Sequence, residues 1–200
     1  MDRIDELATA LARLPGIGPR QGKRFVFYLL SAGSAERKKL ADLIIALGSD
    51  VHQCPECLRF FNGTTATVCS YCSAKTRDDS QLLIVEKDQD LSAVERAGTY
   101  KGRYFVLGGV LTLSGKGAIR EKELLRAVEK RLKNGLKEVV LALSATSEGE
   151  HTADRVRELL APHRDSLTIS VLGRGLATGS ELEYSDAETL RAALAGRKEA

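Results

Sequence analysis

The stretch LLIVEKDQDLSAVERAGTYKGRYFVLGG, residues 82–109, decides the fold. It opens on a run of aliphatic residues, LLIVE (82–86), crosses charged residues that read as a helix near 90–97, and returns to a second apolar run, YFVLG (104–108). A strand covered by helices on both faces of its sheet is apolar throughout and shows no alternation. Two more such runs follow, EVVLALS (138–144) and LTISVLG (167–173), with helical stretches near 119–134 and 152–161. Strands alternating with helices imply parallel crossovers, so residues 79–173 are expected to form an α/β domain with a parallel sheet.

Upstream the texture is helical. Ile4, Leu7, Ala8, Leu11 and Leu14 recur three and four apart, the stripe an amphipathic helix buries, and Pro15-Gly16 ends it. A second helix is expected from about Pro19 to Leu30, with Pro tolerated in its first turn, and a third from Ala35 to Leu47, with Leu40, Leu43, Ile44 and Leu47 as its stripe. The link between the first two, Leu14-Pro15-Gly16-Ile17-Gly18-Pro19-Arg20, places two glycines around one apolar residue, a helix-hairpin-helix pattern. Gly16 and Gly18 permit backbone angles closed to other residues, so amides can converge on a phosphate at the start of the second helix, where the dipole also favours an anion. Between Arg13 and Lys39 seven cations face Glu36 alone, a local +6 in a chain whose net charge is +3. Arg20, Lys23 and Arg24 are the expected phosphate contacts, and such contacts carry no base identity. A solvated basic face on an ordinary helix turn is the plainer alternative.

Four cysteines form two close pairs, Cys54-x2-Cys57 and Cys69-x2-Cys72, separated by eleven residues. Each pair can straddle one ion and the intervening loop closes a tetrahedral thiolate site, for which zinc is the expected metal. The gap is short for such sites, and Asn62-Gly63 is expected to supply the tight turn that brings the arms together. Four thiolates leave no open coordination position, so the zinc is expected to be structural. A redox dithiol would need one such pair, not two.

Two hundred residues, 43% of them hydrophobic and 28% charged, describe a folded chain of one large domain or two small ones and exclude general disorder. No apolar run approaches the roughly 18 residues of a membrane helix, and MDRIDELATA carries acids where a secretory signal would be basic and then apolar. A cytoplasmic location is expected, and a reducing compartment turns paired thiols toward metal binding. No phosphate-loop motif is present, since Ser114-Gly115-Lys116-Gly117 lacks the upstream spacing. His52, His151 and His163 show no ligand pairing.

Glu86 ends the first strand with Asp88 and Asp90 just beyond, while Glu148 and Glu150 follow the third strand on either side of Gly149. The carboxyl ends of parallel strands face one functional crevice. One acid after an early strand and a two-apart pair after a later one resembles the Toprim domain. Carboxylates so gathered can hold Mg²⁺, dock a basic partner, or simply decorate loops.

Taken in order, LPGIGPRQGKRFVFYLL, the two cysteine pairs, IVEKDQDLSAVERAGTYKGRYFVLGG, SEGEHTA and RGLATGSELEYSDAETLRAAL closely resemble the RecR family of bacterial recombination mediators across nearly the full chain. The resemblance implies a multi-part α+β and α/β fold. Residues 1–53 would be a helix-hairpin-helix region, 54–78 a four-cysteine zinc finger, 79–173 a Toprim domain, and 174–200 a Gly-rich segment with a C-terminal helix near 186–194. It also implies a non-enzymatic DNA-repair protein that binds double- and single-stranded DNA without sequence preference, pairs into a dimeric or tetrameric ring, and acts with RecO and RecF to load RecA on gapped DNA. The family's acids fall on Glu86, Glu148 and Glu150, associated with partner docking. Mg²⁺ there is a candidate ligand with no catalytic part expected, and no catalytic residue is assigned. The rival reading is a Mg²⁺-dependent Toprim nuclease using the same three acids.

This chain departs from the family's pattern at five places. Ser144-Ala145 stands for Asn-Pro, Ala177 for Pro in the tail, and Leu113 and Gly115 for Pro and Asp. The fifth is Gly22, which stands for a helix former and is expected to weaken the second helix by up to about 1 kcal/mol. A looser pocket edge and tail are expected from the lost prolines.

Overall fold

The computed structural model describes residues 2–63, 66–114 and 117–197. The chain divides into two compact units, Met1–His52 and Gln53–Ala200. Gly115 and Lys116, named above, lie outside the described residues.

The first unit is three helices: α1 (Arg3–Leu11), α2 (Pro19–Ser31) and α3 (Ser34–Asp50). Asp2 caps α1, its carboxylate accepting the Asp5 amide at 2.8 Å, and Pro19 opens α2 at a position where no amide is needed. Ala8 and Val26 are buried where α1 and α2 pack. At the crossing, a Cβ on Gly22 would stand 2.6 Å from the Ala8 carbonyl oxygen. Beside the propensity cost, Gly22 has a packing role: its missing side chain is what lets the two backbones meet. The Arg37 guanidinium ends α2, donating to the Leu29 carbonyl at 2.9 Å and to that of Ala32. Of the cations counted near the hairpin, Arg37 is thus spent on carbonyls. α3 runs three residues past its expected end, and its 17 residues bury none of their number.

A short strand, β1 (Val51–Gln53), leads to the first cysteine pair, followed by β2 (Phe60–Asn62) and a single helical turn, α4 (Ser70–Ser73), at the second. These three elements are too short for periodicity to reveal. The α/β part then runs β3 (Asp78–Val85), α5 (Asp88–Ala97), β4 (Gly102–Val106), α6 (Glu121–Leu132), β5 (Glu138–Ala142), α7 (Ser147–Leu160) and β6 (Thr168–Val171). The four strands are parallel in the order β4-β3-β5-β6, with Leu83 opposite Tyr104 on one side and Val140 on the other.

Alternate residues of the apolar runs divide between two cores. Leu82, Ile84, Phe105, Val139 and Leu141 pack with Leu124 and Val128 of α6 and Val156 and Leu160 of α7. Leu83, Val85, Tyr104 and Val106 pack with Leu91 and Val94 of α5 on the other face. Both faces are covered, which is why LLIV is uninterrupted. A Gly-rich segment carries the chain to α8 (Ala187–Ala195), capped by Asp186 through the Glu188 and Thr189 amides at 2.9 Å. In the tail loop the Ala177 carbonyl accepts both the amide (3.0 Å) and the hydroxyl (2.6 Å) of Ser180.

Candidate metal centre and nucleic-acid interface

Each cysteine pair sits in a tight backbone turn. The Leu58 amide donates to the Cys54 carbonyl at 2.8 Å, Leu58 takes a φ of +60°, and the Cys54 amide returns to the Arg59 carbonyl at 2.9 Å. In the second turn the amides of Cys72 and Ser73 both donate to the Cys69 carbonyl at 3.0 Å. The four Sγ atoms lie within 4.8 Å of one another, with Cys57 and Cys69 sulfurs 3.6 Å apart, and none is in a disulfide. A tetrahedral site with metal–sulfur bonds of about 2.3 Å has sulfur–sulfur edges of about 3.8 Å, so the donor set and spacing fit a thiolate-bound metal. The thiols perturb one another strongly. Cys57 is pushed far up by Cys54, then by Cys69, Cys72 and burial, while Cys69 is lowered to about 6, its contact with Cys54 opposing that fall and Cys57 and Cys72 driving it. The tight turn expected at Asn62-Gly63 runs into residues 64 and 65, outside the described ones; Gly63 itself is not among the residues of positive φ, and a Cβ there would stand 2.9 Å from the Phe61 ring.

The cysteine turns are fastened to the edge of the sheet. The Val106 amide donates to the Cys57 carbonyl at 2.8 Å. Arg120 donates to the carbonyls of Leu58 and Val106, both at 2.9 Å, and Arg131 to that of Glu56 at 3.1 Å. From within β4, Arg103 reaches the carbonyls of Tyr71 (2.9 Å) and Cys72 (3.0 Å) and pairs with Asp79 at 2.7 Å. Arg77 pairs with both oxygens of Glu95 at 2.7 Å and lies over the Tyr71 ring, 4.8 Å from its centre.

At the hairpin, Gly16 has φ +77° and turns the chain between α1 and α2. Gly18 does not: it is extended (φ −88°) with open space where a Cβ would be, so its expected special backbone is not needed. It is the N-cap of α2 and supplies no side-chain acceptor, which leaves the first-turn amides of Arg20 and Gln21 without a capping group. Arg20 and Arg24 are exposed, Arg24 donating to the Gln21 side-chain oxygen at 3.4 Å, whereas the Lys23 ammonium pairs with Asp5 of α1 at 3.0 Å.

The acids meet the carboxyl ends of β3 and β5, where the strand order diverges. Glu86 is only 6% exposed, and its Oε1 accepts the Ser144 amide at 2.6 Å. α7 begins at Ser147, not near 152, so Glu148 and Glu150 occupy its first turn, where the dipole favours acids, and not a loop. Thr146 caps that turn through the Gly149 amide at 3.1 Å, and Gly149 packs against Ser144 so closely that a Cβ would stand 2.0 Å from its carbonyl oxygen. Glu150 is ion-paired with Arg174 of the tail. Asp88 accepts the Phe60 amide and Asp90 the Lys87 amide, each at 2.9 Å.

Residues 4–47 match the RecR helix-hairpin-helix, 80–172 the Toprim domain and 175–198 the RecR C-terminal segment. The recombination protein RecR of Cutibacterium acnes is 38% identical over 195 residues, 97% of this chain and 94% of that protein. The RecR of Ruegeria sp. is 39% identical over 198 residues (98% and 96%), and that of Bdellovibrio bacteriovorus 34% over 202 residues (98% and 97%). The chain belongs to the RecR family.

Within this RecR fold the four cysteines converge, and Glu86 reaches the segment leading to α7, while Glu150 turns to the tail. The arginines that fasten the cysteine turns escaped the sequence reading. Arg103 carried a signal all the same: an arginine directly before the apolar run of β4, 9% exposed here, needs partners if buried. Among the described residues no helix is long and apolar enough to cross a membrane.

Proposed function

We propose that this chain is a non-catalytic DNA-binding mediator of recombinational repair, built as four parts (1–53, 54–78, 79–173, 174–200) and acting as a ring of several copies. The observation that carries the reading is the start of α2: a left-handed turn at Gly16, uncapped amides, and the exposed Arg20 and Arg24 on the same helix. Such a terminus receives a phosphate of any sequence, in duplex or single strand. Lys23, held by Asp5, places a third cation on the same helix. Zinc is the metal assigned to Cys54, Cys57, Cys69 and Cys72, where a saturated thiolate set supplies structure and no reactive position.

The apolar face of the first unit favours assembly. Ile4, Leu7, Leu11, Val26, Leu29 and Ile44 wall a cavity of about 380 Å³, and α3 leaves Ile45 74% exposed. Contiguous exposed apolar surface of this kind marks an interaction site, and the family resemblance makes a second copy its occupant. Glu86, Glu148 and Glu150 are assigned to docking of RecO and RecF, leading to RecA loading on gapped DNA. Among the described residues the four cysteines gather closely enough to hold one ion whereas Glu86, Glu148 and Glu150 do not, which disfavours the nuclease reading.

Replacing Arg20, Lys23 and Arg24 together by Ala tests the assignment. Affinity for duplex and single strand should fall, and the logarithmic salt slope on duplex should shrink by about 0.9 for each phosphate contact removed. Unchanged affinity and slope would remove the hairpin from the account.

A further inference from the structure

The junction between the first cysteine turn and the sheet holds a second cavity, of about 380 Å³, lined among others by Arg59, Phe60, Glu86, Lys87, Asp88 and Arg120. Three of these are cations and two are acids. Both acids have an oxygen engaged by a backbone amide, Glu86 by Ser144 and Asp88 by Phe60, and Arg120 is spent in part on two carbonyls. Arg59 and Lys87 form no ion pair among the described residues. The Arg59 guanidinium lies over the Tyr71 ring at 4.4 Å, and its Nε is buried without a hydrogen-bond partner. Beside them Phe60 is 54% exposed, while its backbone amide is held by Asp88.

From this cavity we infer a second nucleic-acid site, specific for a single strand: an unpaired base stacks on Phe60 while the adjoining phosphate lies between Arg59 and Lys87. An exposed aromatic beside unpaired cations suits a strand whose base faces are free, and a duplex offers no such face. The inference rests on the nucleic-acid reading of the molecule for its choice of ligand, but not on the hairpin, which belongs to the other unit.

The test compares binding of a fluorescent oligothymidylate and of a blunt duplex to the full-length zinc-loaded protein and to four variants: Phe60→Leu, Phe60→Tyr, Lys87→Ala, and the Arg20, Lys23, Arg24 triple variant. Phe60→Leu should weaken oligothymidylate binding about tenfold, the scale of one lost base stack, while Phe60→Tyr retains it. Lys87→Ala should lower the single-strand salt slope by about 0.7. Duplex affinity, zinc content and thermal midpoint should stay as in the parent for these three. Equal weakening on both ligands, or none on either, overturns the inference. Loss in the triple variant alone would leave the hairpin assignment standing and sink this one; retention in the triple variant with loss in Phe60→Leu would do the reverse.

Discussion

At Gly22 helix propensity and packing point in opposite directions. Alanine would favour α2 by about 1 kcal/mol on propensity, but its methyl would meet the Ala8 carbonyl oxygen at 2.6 Å, and overpacking against a backbone atom costs about 1–3 kcal/mol. Gly22→Ala is therefore expected to lower the midpoint of urea unfolding; a raised midpoint would contradict the crossing described. The sequence shows a poor helix former at 22 but not which atom it faces, because a crossing between two helices leaves no periodic trace. Glu86 makes the same point about function. Its place at a strand end is legible in LLIVE, whereas its bond to Ser144, 58 residues on, is not. Glu86→Ala strands a buried amide at a cost of about 1–3 kcal/mol, and Glu86→Gln, which keeps an acceptor, should recover most of that stability in the same unfolding measurement.

The cysteine element and the sheet depend on each other. The two C-x-x-C pairs announce a metal site because ligand spacing is local, but the arginines of β4 and α6 that hold it act through backbone carbonyls, which leave no signature in residue type. Removing the metal with a strong chelator should therefore be felt in the sheet: hydrogen exchange at the Val106 amide, bonded to Cys57, should accelerate together with that of Leu58. Protection at Val106 unchanged after verified metal loss would show the two to be independent. Between α6 and α7, Arg155 pairs with Glu121 at 2.9 Å, and that hydrogen bond holds the Glu121 carboxyl below the usual carboxylate range. A depressed folded-state value contributes stability above the unfolded value of about 4.3, and the contribution is lost as pH falls through the folded one. Arg155→Met should accordingly flatten the decline of stability on acidification below that range, leaving neutral-pH differences small because the pair is partly exposed. The late start of the sequence-read α7, near 152, came from weak apolar periodicity in SEGEH, where the real signals were the Thr146 cap and the acids of the first turn.

On the scale of the molecule, a helix that buries none of its 17 residues in its own unit is an incomplete core. Light scattering on the 21.7 kDa chain should report a multiple of that mass, and Ile44→Glu with Ile45→Glu should reduce it while the sheet's circular dichroism persists. A monomeric parent protein would remove the ring. A chain with Toprim acids and a cationic hairpin should hold nucleic acid without cutting it. The direct measurement is a titration of gapped and supercoiled DNA across a salt series with Mg²⁺ or Mn²⁺ present, followed by recovery of the DNA. Binding that weakens steeply with salt and returns the DNA intact is predicted; strand cleavage that disappears in Glu148→Ala would contradict it.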